Sequence, residues 1–174
     1  MSDNSFITSE KKIFWREPLL PFAERLYAFP EVEKICLHLQ DEYHVNVNIL
    51  LWTFWVKSER LPISAHWLDE VLINIDTSSQ LTVSRLREIR RMIKNTDTFT
   101  RVQAVQVCKH ILQAELKAER IFLQRLEDLA ARFIESKTSA ENIALISPAY
   151  YLGFLGVSDA PFYVEDIASH IAAL

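Results

Sequence analysis

The feature that most constrains this chain is a long stretch without helix-breaking residues, because residues 63–147 contain neither proline nor glycine. Proline removes a backbone donor and clashes with the preceding turn, and glycine costs conformational entropy, so helix interiors are poor in both. Within this stretch apolar residues recur three and four positions apart, which is the spacing of one face of an α-helix. The pattern predicts long helices across the second half of the chain.

Glycine is scarce in the whole sequence: only Gly153 and Gly156 occur among 174 residues, where average usage would give about 12. Tight hairpin turns and phosphate-binding loops depend on glycine, because they need backbone angles that other residues adopt at a cost. The scarcity argues against an all-β fold, and it leaves no glycine-rich loop that could hold a nucleotide.

We therefore predict an all-α fold, with a single domain over residues 1–174 built as a bundle of about six or seven helices. Residues 47–56 are apolar on nearly every side, which is typical of a central helix covered by its neighbours. One long helix is predicted from Phe99 to about Glu135, with an apolar stripe that runs along it from Val105 to Phe133.

The sequence pattern is less regular at the two ends of the chain and between the predicted helices. We expect residues 1–12 to be flexible and residues 137–174 to form a looser helical tail that packs on the bundle. The polar residues 77–80 are interpreted as a break between two helices. Candidate caps precede the predicted helices: Asn46 or Asn48, Ser64, and Asp97 or Thr98.

Charge and cysteine content narrow the class of protein. The formal net charge of −4 gives no general attraction to nucleic acid or anionic lipid. Cys36 and Cys108 match no metal or redox spacing and both fall on apolar stripes, which is typical of inert packing thiols. The N-terminal residues lack the pattern of a secretory signal, and the longest apolar run is too short to span a bilayer. We expect a cytoplasmic protein.

Several segments carry a family resemblance. The most specific part lies between Pro30 and Trp55 and includes Leu39-Gln40-Asp41, Val45-Asn46-Val47-Asn48 and Leu50-Leu51. A later segment is Glu115-Leu116-Lys117-Ala118-Glu119-Arg120. Together they resemble a proteobacterial family of small proteins known only as a conserved domain of unknown function. The resemblance implies an all-helical bacterial protein, and it implies no activity, cofactor or catalytic residue.

Glu119 is an acidic residue that the helical pattern places on an apolar face. At 100° per residue it lies within about 20° of the centre of the long helix's stripe, and Arg101 falls on the same face. Burying a lone carboxylate costs several kcal/mol, so Glu119 must be paired, protonated or open to a cavity. We favour an ion pair with Arg90 of the preceding helix, and the alternative is a carboxylate with a raised pKa in a pocket. The candidate polar cluster comprises Arg90, Arg101, Glu115 and Glu119.

A second candidate cluster lies on the surface, around the end of one predicted helix: His38, Asp41, Glu42 and His44. Oxygen and nitrogen ligands at this spacing could bind a metal. Metal sites in helical bundles typically use a Glu-x-x-His element, which this sequence lacks. We therefore interpret the cluster as a solvated helix end and predict no metal, cofactor or catalytic residue.

Three functions stay open. We favour a non-catalytic protein-interaction or adaptor module that docks an unknown partner protein, or a second copy, through the long helix and the tail. The first alternative is a small-molecule or metal-dependent enzyme with an interhelical pocket near Glu119. The second is association with nucleic acid through the helix Arg85–Lys94, which the acidic net charge and Glu88 disfavour. Membrane-surface contact by the tail is disfavoured because no lysine or arginine follows Lys137.

Overall fold

The computed structural model describes residues 14–136 and 144–174, and these residues form an all-α fold. No strand occurs among them, and a single isolated bridge pairs Ser64 with Leu145. The predicted all-α bundle is therefore confirmed, while the expectation for residues 1–12 lies outside the described residues. Seven helices are present in the described parts: α1 (Leu19–Tyr27), α2 (Pro30–Tyr43), α3 (Val47–Ser58), α4 (residues 68–94), α5 (Arg101–Glu135), α6 (Pro148–Phe154) and α7 (Ala160–Ile171).

The central element is α3, in which every residue from 49 to 56 is buried. Helices α1, α5 and α6 pack around it, so its apolar residues face neighbours on all sides, as the sequence predicts. The predicted cap is also present, because the side-chain oxygen of Asn46 accepts hydrogen bonds from the backbone N–H groups of Asn48 and Ile49 at 3.1 and 3.4 Å. This cap satisfies donors that the first turn of a helix leaves unpaired.

Helix α4 continues through residues 77–80, where the sequence predicted a break, so that prediction is wrong. Two π-helical turns, Leu72–Asp76 and Gln80–Ser84, flank the short α-helical segment Thr77–Ser79. The apolar residues Ile75 and Val83 are buried on either side of the polar segment. Because tertiary packing of such residues outweighs weak local propensity, the serine and threonine residues do not end the helix.

Helix α5 has 35 residues and is roughly 50 Å long at 1.5 Å per residue. Its first residue follows Thr100, which forms a capping box with Gln103. The predicted cap at Asp97 or Thr98 and the predicted start at Phe99 are therefore wrong by two or three residues. Its second half is embedded in the bundle through six buried residues: Phe122, Leu123, Leu126, Leu129, Ala130 and Phe133. Before Glu115, in contrast, Cys108 is the one residue of α5 that is buried.

The end of α4 and the start of α5 form a two-helix extension, which we call the hairpin and define as residues 85–112. The segment Arg85–Lys94 contains no buried residue, and it packs mainly against α5. Because neither helix of the hairpin is embedded in the core, this part of the chain extends beyond the bundle.

Residues 144–174 pack against the first half of the chain. Tyr151, Leu152 and Ile167 are buried in the core, and the hydroxyl oxygen of Tyr151 accepts a hydrogen bond from the backbone N–H of Asn46 at 3.1 Å. The backbone of residues 144–146 is hydrogen-bonded to that of residues 63–65. These contacts hold α6 against α3 and α7 against α2.

Candidate functional site

A groove with a volume of about 860 Å³ lies between α1 and α2 on one side and α4 and α5 on the other. Apolar residues from both sides line it, among them Leu37 of α2 and Leu112 and Leu116 of α5. The start of α3 also contributes to its lining, as do charged residues of α4 and α5. The groove therefore combines apolar surface with charged groups, as ligand sites between helices commonly do.

Four charged residues at this groove form two ion pairs between α4 and α5, and we call them the four-charge cluster: Arg87, Arg90, Glu115 and Glu119. The Nε and Nη2 atoms of Arg90 donate hydrogen bonds to the two carboxylate oxygens of Glu115 at 2.7 and 2.9 Å. The Glu115 side chain is only 3% exposed. A carboxylate so deeply buried needs such a two-pronged partner to offset its lost hydration.

Arg87 connects three helices at the same place. Its guanidinium donates one hydrogen bond to Glu119 of α5 and another to the side-chain oxygen of Gln40 in α2. Its Nε atom also lies 3.9 Å from Oε2 of Glu115. The side chains of Arg87 and Glu119 are 27% and 23% exposed, so this pair is more accessible to water than the pair between Arg90 and Glu115.

The observed pairing differs from the predicted pair between Glu119 and Arg90. Counting at 100° per residue indicated which face of α5 carries the carboxylates. It did not predict which face of α4 carries Arg87 and Arg90, because the π-helical turns before Arg85 change the direction in which all later side chains of α4 point. Arg87 was therefore missed as a partner. Arg101 stands apart from the cluster: it is exposed at the start of α5, roughly 27 Å along the helix axis from Glu119.

The environment of the groove changes the pKa of two groups that line it. Burial raises the pKa of Glu119 above its ordinary value, the charge of Arg87 and its hydrogen bond oppose this increase, and the charge of Glu115 adds to it. Burial, with Cys36, Glu33 and Glu119 nearby, raises the pKa of Tyr27 to about 12. Tyr27 therefore keeps its proton at neutral pH, and the groove presents a phenol beside a carboxylate that is harder to ionise than usual.

The surface cluster is divided between two environments. His38, Asp41, Glu42 and His44 are all exposed. The Nε2 atom of His38 lies 3.1 Å from the hydroxyl oxygen of Tyr163 in α7, whereas Asp41 and His44 line the groove. In residues 14–136 and 144–174, no group of three or more histidine, cysteine or acidic residues could hold a metal ion.

The hairpin exposes large apolar side chains. Met92, Val102 and Val105 are 69%, 68% and 63% exposed. A second cavity, which we call the tip cavity, has a volume of about 480 Å³ and lies near the connection between α4 and α5. Residues of both helices and of the connection line it: Ile93, Lys94, Thr96, Phe99, Arg101, Ala104, Val105 and Cys108.

None of the described helices is both long and apolar enough to cross a membrane. The fold and the groove define a helical-bundle protein with an interhelical ion-pair cluster. Its sequence matches the model of a family described as a protein of unknown function (DUF2390) over residues 18–126. The chain belongs to this family, so the predicted resemblance to a domain of unknown function is confirmed. No curated protein and no solved structure matches the chain.

The family match includes α1 to α4 and most of α5. The groove, the four-charge cluster and the hairpin therefore all lie within the part of the chain that the family shares.

Proposed function

We propose that this protein is a non-catalytic interaction module that docks a partner protein through the hairpin. The observation that carries the proposal is the exposure of Val102 and Val105, at 68% and 63%, on a helical extension that adds almost nothing to the core. Single exposed apolar residues are normal on protein surfaces. A group of them on a projecting pair of helices is more typical of an interaction site.

The four-charge cluster supports this role by holding the hairpin in one orientation. The pair between Arg90 and Glu115 joins α4 to α5 at the base of the hairpin, and Arg87 ties both helices to α2. A surface that is ordered before binding loses less conformational entropy when the partner arrives. On this proposal the ion pairs position the docking surface and do not perform chemistry.

The tail is buried against the bundle only in part. Tyr151, Leu152 and Ile167 are buried, so these residues cannot meet a partner without unfolding. Phe154 and Phe162 are 54% and 64% exposed, but their helices pack on the bundle, whereas the hairpin extends beyond it. For that reason we assign the docking surface to the hairpin.

Affinity capture from cell lysate with matched variants tests this proposal. Replacing both Val102 and Val105 by serine removes apolar surface from the hairpin and leaves the core intact. The control replaces Ile73 and Leu81 by serine, because these residues are equally exposed on α4, at 70% and 69%, but lie outside the hairpin. We expect the same stoichiometric partner with the wild type and the control, and its loss with the hairpin variant. Equal capture by all three, at equal helicity in circular dichroism, contradicts the proposal.

The groove favours a second candidate, a small-molecule site next to Glu119. Its volume of about 860 Å³ lies within the range of about 300–1,000 Å³ that is typical of ligand pockets. Native mass spectrometry of the purified protein tests it. We expect a bound compound whose occupancy falls when Leu112 is replaced by tryptophan, which narrows the groove, and is unchanged when the exposed Leu145 is replaced in the same way. A protein that carries no added mass rejects this candidate.

A further inference from the structure

We propose that the partner contributes an acidic segment to the interface and that an apolar side chain of this segment enters the tip cavity. This inference rests on the proposed function, since it names the chemistry of the partner that the hairpin docks. It follows from the charge of the hairpin, from the lack of ion-pair partners for two of its cations, and from the shape of the cavity.

The hairpin is basic although the protein is acidic. Residues 85–112 contain seven arginine and lysine residues and two acidic residues, whereas the whole chain has 19 basic and 23 acidic residues. The remainder of the chain therefore carries 12 basic and 21 acidic residues. Glu115 and Glu119, just outside these bounds, pair with Arg90 and Arg87 and reduce the excess of positive charge from five to three. Charges interact over about 8 Å at physiological salt, so a partner that approaches the tip of the hairpin still meets a local positive potential. This potential favours an acidic partner and disfavours a second copy that docks through its own hairpin.

Two cations of the tip cavity are available to a partner. Lys94 and Arg101 line the cavity, both are exposed, and neither has an ion-pair partner among the described residues. Arg87 and Arg90 differ, because Glu119 and Glu115 already neutralise them. Carboxylates of a partner could therefore pair with Lys94 and Arg101 without breaking a contact of the folded chain.

The cavity between these cations is largely apolar. Ile93, Phe99, Val105 and Cys108 line it, and Cys108 is buried, with its thiol donating to the backbone carbonyl oxygen of Arg90 at 3.6 Å. Such a hollow accepts an aliphatic or aromatic side chain, which gains by leaving water. Lys94 and Arg101 could also pair with the phosphate groups of a nucleic acid or of a lipid surface, but phosphate groups would leave the apolar hollow unfilled. A protein segment with an apolar residue between acidic residues fits both features.

Fluorescence anisotropy with the 174-residue chain tests the inference. The probe is a labelled synthetic peptide of glutamate residues with a central phenylalanine, and the comparison peptides carry alanine for phenylalanine or lysine for glutamate. We expect the first peptide to bind best. Its affinity should fall about tenfold in Lys94→Glu and Arg101→Glu, because each brings a like charge to the carboxylates, and it should weaken as salt is raised.

The matched control is Lys109→Glu. Lys109 is an exposed residue of the hairpin that lines neither cavity, and its substitution changes the net charge by the same amount. A change of less than about twofold in the affinity of Lys109→Glu for the acidic peptide supports a specific site at the tip cavity. A loss of affinity equal to that of Lys94→Glu and Arg101→Glu indicates general charge attraction and overturns the inference. Arg101→Gln repeats the test should charge reversal unfold the protein.

Other outcomes also decide between partners. Tighter binding of a single-stranded oligonucleotide or of phosphatidylserine vesicles than of the acidic peptide overturns the inference, as does equal binding of the lysine peptide. The two proposals fail separately. Should the Val102 and Val105 variant lose its captured partner while the acidic peptide does not bind, docking by the hairpin stands and only the acidic chemistry is wrong. Should capture be unaffected by that variant, docking by the hairpin itself is wrong.

Discussion

The two halves of α5 look alike in sequence and differ in the folded protein. Both carry apolar residues at helical spacing, and a single stripe was predicted to run from Val105 to Phe133. In the second half this stripe is buried: Leu126 and Ala130 have no exposed surface. In the first half Val105 remains 63% exposed. An apolar stripe therefore predicts that a helix face can be buried. It does not predict which part of that face other elements cover.

The largest expected effect compares Leu126 with Leu116, one from each half. Leu126→Ala should lower the free energy of unfolding by about 2–5 kcal/mol, because it leaves a cavity in a packed core. Leu116 is 50% exposed, so Leu116→Ala should cost less than about 1 kcal/mol. Urea denaturation followed by circular dichroism measures both. Equal losses for the two variants would show that the first half is covered in solution.

The next effect concerns the two carboxylates at the boundary between the halves. Glu115→Ala should cost about 2 kcal/mol, less than the ~3–5 kcal/mol of a fully buried pair, since it removes the buried partner of Arg90, whose own side chain is 23% exposed. Replacing Arg90 by methionine in the same protein should restore much of that loss. A double-mutant cycle by urea denaturation should give a clearly larger coupling between Arg90 and Glu115 than between Arg90 and Glu119, because Arg90 is hydrogen-bonded to Glu115 and acts on Glu119 only through its charge. A larger coupling of Arg90 with Glu119 would support the pair that the sequence suggested.

The pH dependence gives a further test at the same boundary. Because burial raises the pKa of Glu119 in the folded state, the folded protein binds a proton more tightly than the unfolded chain does. This contribution to stability is present below the unfolded pKa, near the ordinary value of 4.5, and is lost as the pH rises through the folded pKa.

Urea midpoints between pH 4 and pH 7 should therefore show the wild type losing stability relative to Glu119→Gln as the pH rises. The variant serves as the control because its amide does not ionise in this range. A relative gain of the wild type over the same interval would mean that Arg87 outweighs burial at Glu119.

The smallest expected effect is at the hairpin. Val105→Ala should change the free energy of unfolding by no more than about 0.5 kcal/mol, as is usual for exposed positions, even though docking is expected to depend on this residue. The measurement is again urea denaturation of the isolated protein. A loss comparable to that of Leu126→Ala would show that Val105 belongs to a packed interface between copies.

Sequence patterns predicted the secondary structure well where local chemistry is decisive. The Asn46 cap and the buried α3 follow from one side-chain oxygen and from a run of apolar residues. The break at residues 77–80 was wrong because local propensity is weaker than the burial of Ile75 and Val83 on either side. Whether local propensity or burial is decisive can be seen only in the folded structure.

The candidate site was predicted in part. The sequence pointed to an acidic residue of α5 on a core-facing stripe, and the structure contains two, with Glu115 more deeply buried than Glu119. The correct arginine partners could not be assigned, since they depend on how far α4 is rotated by its π-helical turns. Local sequence patterns do not predict that rotation.

The sequence by itself determined that this chain is helical, that α3 is central and that charged groups of α4 and α5 lie near one another. The reason is that helical periodicity and capping act over a few residues. Tertiary structure alone decided which half of α5 is covered, which guanidinium meets which carboxylate, and that a basic hairpin extends from an acidic bundle. These outcomes depend on distances between elements far apart in the chain, and such distances are set by packing of the whole core.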